Sequence, residues 1–546
     1  MNNQTLNSGS RHSAPWILVL LVLFSLVIRV AVVLTRQMIA GDETVYARMA
    51  ENLARGNGPL DMLGSPSTVF FLLLPIMIAG LSFIIDDIVV SGYAVAILFG
   101  SLLPVPTYLL GRDLAGERAG FMAAALVAAA PLTVQYSSRI YTEGVYAFFM
   151  LMAAWLVWRL LKQGRAADGA AAGLLVGLAY LANPAAVFYA VAFPVLLLAA
   201  ALRSRLGILK MARGAALLLL VFFLLGLPYV LYLHGELGKW TYSGKTGYSN
   251  IAAAREGQRL ATPEVEKETM ALTGDGRSIV DMERLEESQD PVSFYLENPA
   301  TGLKIFLGQI RIFYQEEFPK VMPLWLLPLL GLGLFSSGWD RNRAGAIGYT
   351  LLLAAPVLLI FMIDHRARFF VPFVPLGMIW VAQGWQRMEA WGRETAALSI
   401  GGRAGERLGH RIPAFLAAAV LLPTLILTLA LAASESYSTE YREAGEWIKD
   451  NAGRDLRIMD REFSAAYYAG GTVVLIPYAD YDRTTAYARF NEVDYLVIGR
   501  QALTAGRPEL IRLLEEDEGS HPEWRLVHTV LKGADREVLV FELLPE

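Results

Sequence analysis

Cysteine is absent from all 546 residues. That excludes a disulfide framework, a thiolate nucleophile, cysteine-ligated zinc and iron–sulfur clusters. Charge is scarce too: 18% of residues are charged against 55% hydrophobic, and the mean hydropathy is +0.42. Such a chain is too apolar for a soluble globular protein. A formal net charge of −4 and a pI near 6.0 leave no electrostatic footprint for nucleic acid. Five of the histidines, His12, His234, His410, His521 and His528, have no metal-ligand spacing and read as loop or surface residues.

What the chain has instead is long apolar runs, near 16–35, 66–85, 88–110, 119–136, 141–158, 168–182, 185–202, 214–233, 321–338, 344–363, 369–386 and 412–433. The first carries a single charge, Arg29, between Trp16 and Leu34. It is too long for a signal-peptide core and no small-residue cleavage site follows it, so it reads as a retained span. Lys and Arg collect in the gaps at 112–118, 159–165, 203–213, 341–343 and 387–411, which the positive-inside rule places in the cytoplasm. The alternation closes only if one run between Asp42 and Arg112 does not cross. The run 66–85 opens with Ser65-Pro66-Ser67, has Pro75 in its middle, and meets the next run at Asp86-Asp87. It reads as a re-entrant or interfacial element, leaving about eleven crossings, the N-terminus inside and the C-terminus outside. Trp16, Tyr136, Tyr229, Tyr232, Trp240 and Trp325 lie near span ends and read as an interfacial belt. Asn183-Pro184 reads as a turn, and Gly169, Gly173 and Gly177 line one helix face suited to close packing.

This topology gathers ionisable residues on one face. Asp42 and Glu43 follow the first span and open an amphipathic helix through Tyr46, Met49, Ala50 and Leu53 that stops at Arg55-Gly56-Asn57-Gly58-Pro59. The plainest role for Asp42 is a helix N-cap. The short loop Ser138-Arg139-Ile140-Tyr141-Thr142-Glu143 and the loop Asp364-His365-Arg366-Ala367-Arg368 fall on the same side. Arginines outside the membrane run against the positive-inside trend, which favours a functional role for Arg368 over snorkelling.

Two soluble segments complete the outer side. The loop 234–320 is polar, with helices expected at Ile251–Leu260, Pro263–Leu272 and Ile279–Ser288, and ends in an amphipathic stretch through Leu303, Ile305, Phe306, Ile310 and Phe313. The tail 434–546 alternates short apolar strands with helices and predicts a small α/β domain, separate from the membrane domain formed by residues 1–433. Its elements are helices at Ala444–Asn451, Ser464–Ala469, Thr484–Phe490 and Glu509–Glu516, and strands at Leu456–Met459, Val473–Ile476, Asp494–Ile498, Arg525–Leu531 and Val538–Leu543. No Gly-rich phosphate loop follows its first strand.

The order of these pieces resembles the lipid-dependent glycosyltransferases of the C-type membrane fold, in the branch of protein O-mannosyltransferases and the lipid A aminoarabinose transferase. The resemblance covers residues 12–433. It rests on Asp42-Glu43-Thr44-Val45-Tyr46, on Arg112-Asp113-Leu114-Ala115-Gly116-Glu117-Arg118-Ala119 leading to Pro131, on Ser138-Arg139-Ile140-Tyr141-Thr142-Glu143, and on Arg368-Phe369-Phe370-Val371-Pro372-Phe373-Val374-Pro375. Where the family often has His or Lys before Pro-Pro-Leu, this chain reads Gly64-Ser65-Pro66-Ser67. The resemblance implies an inverting transfer from a polyprenyl-phosphate-linked sugar to a lipid, glycan or protein hydroxyl at the outer face of the cytoplasmic membrane. It makes Asp42 the base, with Glu43 and Glu143 as further acids, Arg368, Arg366 and His365 as phosphate-holding groups, and Arg139 and Tyr46 as substrate-binding residues. A divalent metal ion between Asp42 and Glu143 is compatible with it. The alternatives are a secondary transporter, whose acids would belong near the bilayer midplane, and a non-catalytic assembly protein with an outer binding domain.

The charge alternation is testable directly. A topology reporter fused at Asp87 should read outside and one at Gly116 inside; an inside signal at Asp87 ends the eleven-span arrangement.

Overall fold

A computed structural model describes residues 14–202, 208–244, 270–279, 295–336, 338–362, 364–400, 402–453, 455–514 and 521–545. The first half is a run of helices: α1 Ala14–Leu34, α2 Asp42–Ala54, α3 Leu73–Ile85, α4 Ile88–Leu102, α5 Pro104–Ala115, α6 Glu117–Ala129, α7 Pro131–Ser137, α8 Glu143–Gln163, α9 Ala166–Ala182, α10 Ala186–Ala201 and α11 Ile208–Leu237. Among the described residues seven helices are long and apolar enough to cross a membrane, or nine if two bent pairs each count as one span. One bent pair is α6 with α7 (55°); the other joins Pro299–Val321 to Leu324–Phe335 at 82°. The remaining apolar helices, α3, α9 and α10, are shorter. Exposed Trp16, Val27, Phe83, Leu224, Phe415 and Ile426 turn apolar surface outward, as a lipid solvent requires. The protein is a multi-pass membrane protein.

Residues 37–87 leave and return at one end of the bundle. Arg36, just past α1, donates from Nε to the Tyr93 hydroxyl in the second turn of α4 at 3.0 Å. The 13-residue α3 between them is about 20 Å long, against a hydrocarbon core of roughly 30 Å. Glu43 reaches Ile140 in the middle of the α7–α8 loop, and Asp42 reaches Arg368, so these segments share that end. Pairs at the other end join the basic gaps: Trp155 Nε1 to Asp113 at 3.0 Å, and Arg159 to Asp168 at 3.5 Å.

Pro131 causes the bend between α6 and α7, because it lacks the N–H that would continue the helix. The carbonyls left over are taken by side chains. Thr133 Oγ1 donates to Val127 O at 2.8 Å, Arg29 to Ala128 O at 3.2 Å, and Thr428 Oγ1 to Ala129 O at 2.6 Å. The one charge inside α1 is therefore an internal tie, also donating to the Ser137 and Ser25 hydroxyls at 2.6 Å each. Gly169, Gly173 and Gly177 pack α9 against α11 as the spacing suggests. A Cβ on Gly169 would lie 2.2 Å from Gly214 O and one on Gly173 2.4 Å from Leu218 O. Asn183 ends α9 and caps the turn into α10, accepting from Ala185 N at 3.0 Å.

The tail carries β1 Arg457–Met459, β2 Thr472–Val474, β3 Tyr495–Gly499, β4 Trp524–Val530 and β5 Val538–Leu543, in sheet order β2-β1-β3-β5-β4. β1 pairs in parallel with β2 and β3, while β5 runs antiparallel to β3 and β4. The helices Thr439–Ala452, Ser464–Ala469 and Tyr481–Phe490 fall where the alternation put them. The segment expected as helix over Glu509–Glu516 is a 3-10 turn, Pro508–Leu514, with residues 515 and 516 outside the described set. In the loop 234–320, the expected helix Ile251–Leu260 and most of Pro263–Leu272 and Ile279–Ser288 lie outside the described residues. What is described of the last two is extended: Ala271 bridges Tyr478 and Leu272 bridges Ile279. Backbone pairing with the tail, Tyr478 N to Met270 O at 2.6 Å, wins there over helix propensity. Helix Pro299–Ile312 forms as expected, with Ile305 fully buried and Leu303 exposed.

The glycine face gives a stability prediction. Gly173→Leu forces α9 off α11 and should destabilise the protein by about 1–3 kcal/mol, seen as a lower Tm in detergent. Gly80→Ala, at a position with nothing within 4 Å, should leave Tm unchanged or raised. Equal behaviour of the two variants would show that α9 and α11 do not pack through this face.

Candidate active site

Helix α2 starts at Gly41, whose φ of 57° no side-chain-bearing residue adopts easily. Gly41 is the N-cap, without a side-chain cap, so Asp42 occupies the first helical position. This corrects the N-cap role for Asp42. Its carboxylate turns away from the helix amides and accepts from Arg368 Nη1 at 2.8 Å, across 326 residues of chain. Arg368 sits in the 3-10 segment Ala367–Phe373 that leads into helix Val374–Ile400, with its guanidinium 4.8 Å over the Phe369 ring. Its Nε is buried and has no hydrogen-bond partner among the described residues. Glu143, the buried first residue of α8, acts electrostatically on the same guanidinium. Tyr46 lies one turn along α2 from Asp42, buried and edge-on to Phe70 at 5.3 Å. Burial, then the nearby Asp42 and Glu143 carboxylates, push its phenol well above the usual tyrosine range, while Thr142 hydrogen-bonds it. Tyr141 is raised in the same way.

Glu43 points elsewhere, because successive residues on a helix are about 100° apart. It is 2% exposed, binds Arg36 at 2.5 Å and accepts from Ile140 N at 2.9 Å. Burial pushes its carboxyl up from the usual carboxylate range, and Arg36 and the Ile140 N–H work against that push. Arg139 pairs with Glu435 through Nη2 and lies over Tyr136 and Tyr141 at 5.7 and 6.0 Å. His365 shares a 2.6 Å hydrogen bond with Gln309 Oε1, and Arg366 folds back onto Asp364 of its own loop, Nε to Oδ2 at 2.8 Å. Burial opposes the Asp364 charge, but the Arg366 hydrogen bond and charge prevail and hold the carboxyl below its usual range. Of the eight residues singled out from sequence, the structure brings Asp42, Tyr46, Glu143 and Arg368 together. Glu43, Arg139, His365 and Arg366 are engaged with other partners.

A cavity of about 250 Å³ opens beside this cluster, lined by Gln135, Tyr136, Glu317, Lys320, Ala367, Leu431, Ser434 and Glu435. Tyr136 therefore lines a polar cavity instead of belonging to an interfacial belt. Tyr229 is likewise internal, 3% exposed and 5.0 Å from Phe71. Sequence reasoning passed over Arg36, Thr142, Glu317 and Glu435. Only the pairing of distant segments marks them, although Arg36, six residues ahead of Asp42, is a further outward arginine against the positive-inside trend. Among the described residues no three His, Asp or Glu side chains converge on a point where they could hold a metal ion. Asp42 pairs with Arg368, and Glu43 with Arg36.

Comparison with known proteins bears on the fold. Residues 72–232 match the family described as dolichyl-phosphate-mannose-protein mannosyltransferase. The archaeal oligosaccharyltransferase AglB from Archaeoglobus fulgidus, solved with an inhibitory peptide and a dolichol-phosphate, superposes with a TM-score of 0.64 at 15% identity, over 98% of this chain and 75% of that one. ArnT from Cupriavidus metallidurans, solved with undecaprenyl phosphate, superposes at 0.54 and 14% identity, over 97% and 98%. The chain has the C-type membrane glycosyltransferase fold. The arabinofuranosyltransferase AftD from Mycobacteria shares it at 0.53 and 13% identity, this chain covering 41% of AftD. No curated protein sequence matches.

The two acids of the pair Asp42-Glu43 should respond differently to removal. Glu43→Ala removes the nearer of two carboxylates on a buried Arg36 and should destabilise the protein by about 3 kcal/mol. Asp42→Ala breaks a pair whose side chains are 34% and 20% exposed and should cost about 1 kcal/mol or less. Denaturant unfolding in detergent measures both, and equal costs would contradict this division.

Proposed function

We propose that the chain is an integral-membrane glycosyltransferase that moves a sugar from a polyprenyl-phosphate donor to a hydroxyl of a lipid, glycan or protein acceptor. Its site faces outward from the cytoplasmic membrane, with the N-terminus inside and the tail periplasmic, as the basic gaps suggest. The observation that carries the reading is the Asp42–Arg368 pair beside Glu143, with a buried Arg368 Nε left unused. The fold it shares with proteins solved with dolichol-phosphate and undecaprenyl phosphate supports it.

The chemistry needs a base and an anion clamp. The acceptor hydroxyl oxygen forms a bond to the anomeric carbon as the bond from that carbon to phosphate oxygen breaks. The phosphate departs with the electron pair, so no acid is needed at the leaving group. Asp42 takes the acceptor proton. Attack opposite the phosphate inverts the anomeric carbon. Arg368 stabilises charge on the departing phosphate through its free Nε and the Nη1 that faces Asp42 in the resting pair. In the resting pair the cation quenches the base. The arriving phosphate draws Arg368 toward itself and releases Asp42 when there is a sugar to receive the acceptor. Glu143 holds the acceptor or the arginine, and Glu43 fixes the backbone around them.

The assay is transfer from a short-chain polyprenyl-phosphate sugar, with donor affinity measured separately. Asp42→Asn should bind donor as well as or better than wild type while turnover falls by roughly 100-fold or more. Arg368→Ala should weaken donor binding by about 1.5–3 kcal/mol and lower turnover with it. Arg368→Lys should recover only a fraction, because a point charge cannot replace the guanidinium fork. Near-normal turnover in Asp42→Asn overturns the base, and normal donor binding in Arg368→Ala overturns the clamp.

A further inference from the structure

The segment from Arg36 to Gly41 joins the first span to the helix that begins with Asp42, and the tail grips it at three points. Arg442, on helix Thr439–Ala452, donates to Gln37 O at 2.6 Å. Ile39 N donates to the hydroxyl of Tyr468, on helix Ser464–Ala469, at 2.9 Å. Glu435, at the root of the tail, lies 3.6 Å from Arg36 and also pairs with Arg139. Arg36 in turn holds Glu43, and Glu43 holds the Ile140 amide that begins the run to Glu143. Two arginines and two glutamates thus form one neutral cluster with side chains between 2% and 20% exposed. One glutamate comes from the catalytic helix and the other from the tail.

We infer that the tail is a structural component of the active site, and that Glu435 is a positioning residue for transfer. It touches neither Asp42 nor Arg368. With its carboxylate removed, Arg36 and Arg139 lose a shared anion in a buried place, and the remaining anion, Glu43, has to serve both. That turns Glu43 off the Ile140 amide and shifts the loop carrying Glu143 against the helix carrying Asp42. The chemistry then suffers although no reacting group has changed. Tyr437, two residues beyond Glu435, also packs its ring 5.3 Å from the Arg36 guanidinium. The tail therefore grips the approach to the base instead of hanging free below it.

The kinetic arm of the test rests on the transferase reading; the second arm does not. In the full-length protein, Glu435→Gln should lower kcat per folded molecule by about tenfold or more while donor affinity stays within about twofold. Glu435→Asp should regain most of the loss. The double variant Glu43→Gln/Glu435→Gln should be no slower than the slower single variant, because both act through Arg36. Normal kcat in Glu435→Gln, donor affinity falling in parallel with kcat, or multiplicative losses in the double variant would overturn the assignment. Hydrogen exchange of the amides of residues 37–41 is read without any sugar donor. Glu435→Gln and Tyr468→Phe should each speed it by about tenfold, with exchange in α9 unchanged. Unaltered exchange at 37–41 overturns the tail's hold on this segment even in an active enzyme. A wild-type protein that transfers no sugar, with exchange responding as stated, overturns the transferase reading and leaves the tail's hold standing.

Discussion

The ion pair between Arg36 and Glu43 is the constraint on which the outer end of the molecule depends. Both side chains are at most 3% exposed, so each charge needs a counter-charge beside it. Each then recruits a distant segment: Arg36 brings in Tyr93 of α4 and Glu435 of the tail root, and Glu43 brings in the backbone at Ile140. Four pieces of chain far apart in sequence meet because one buried pair has lone pairs and N–H groups to satisfy. The position of Asp42 is a by-product, since it is the neighbour of Glu43 on a helix whose rotation that pair sets.

Two adjacent acids consequently do different work. Glu43 faces inward and is bound to a buried partner, while Asp42 is a third exposed and bound to Arg368. A surface-facing pair of that kind is weak enough to open, whereas the inner pair is not. The acids and Arg368 also gather at one end of the bundle beside a polar cavity, the arrangement expected for a reaction at a membrane surface more than for a transport path through the midplane.

Much of the fold is legible in the sequence because lipid imposes a simple rule on composition. Apolar runs map onto helices, the turn at Asn183-Pro184 and the glycine face of α9 are local, and the strand–helix alternation of the tail gives nearly every element of its sheet. The site is only half legible. Asp42, Glu143 and Arg368 stand out as charges beside apolar runs. The partner of each does not, since the pair of residues 42 and 368 is a tertiary fact with no sequence period. Tyr136 and Tyr229 are misread for the same reason: an aromatic at the end of a span looks the same whether it faces lipid, a cavity or another helix. Glu435 is hidden more deeply, in four polar residues that look like a hinge between domains.

In the proposed mechanism, donor phosphate and Asp42 compete for one guanidinium. A structure of the full chain with a polyprenyl phosphate bound tests this most directly. The expected result is a phosphate oxygen within about 3 Å of Arg368, the Asp42–Arg368 contact opened, and the Arg36–Glu43 pair unchanged. A phosphate bound elsewhere, with Asp42 still on Arg368, would contradict it.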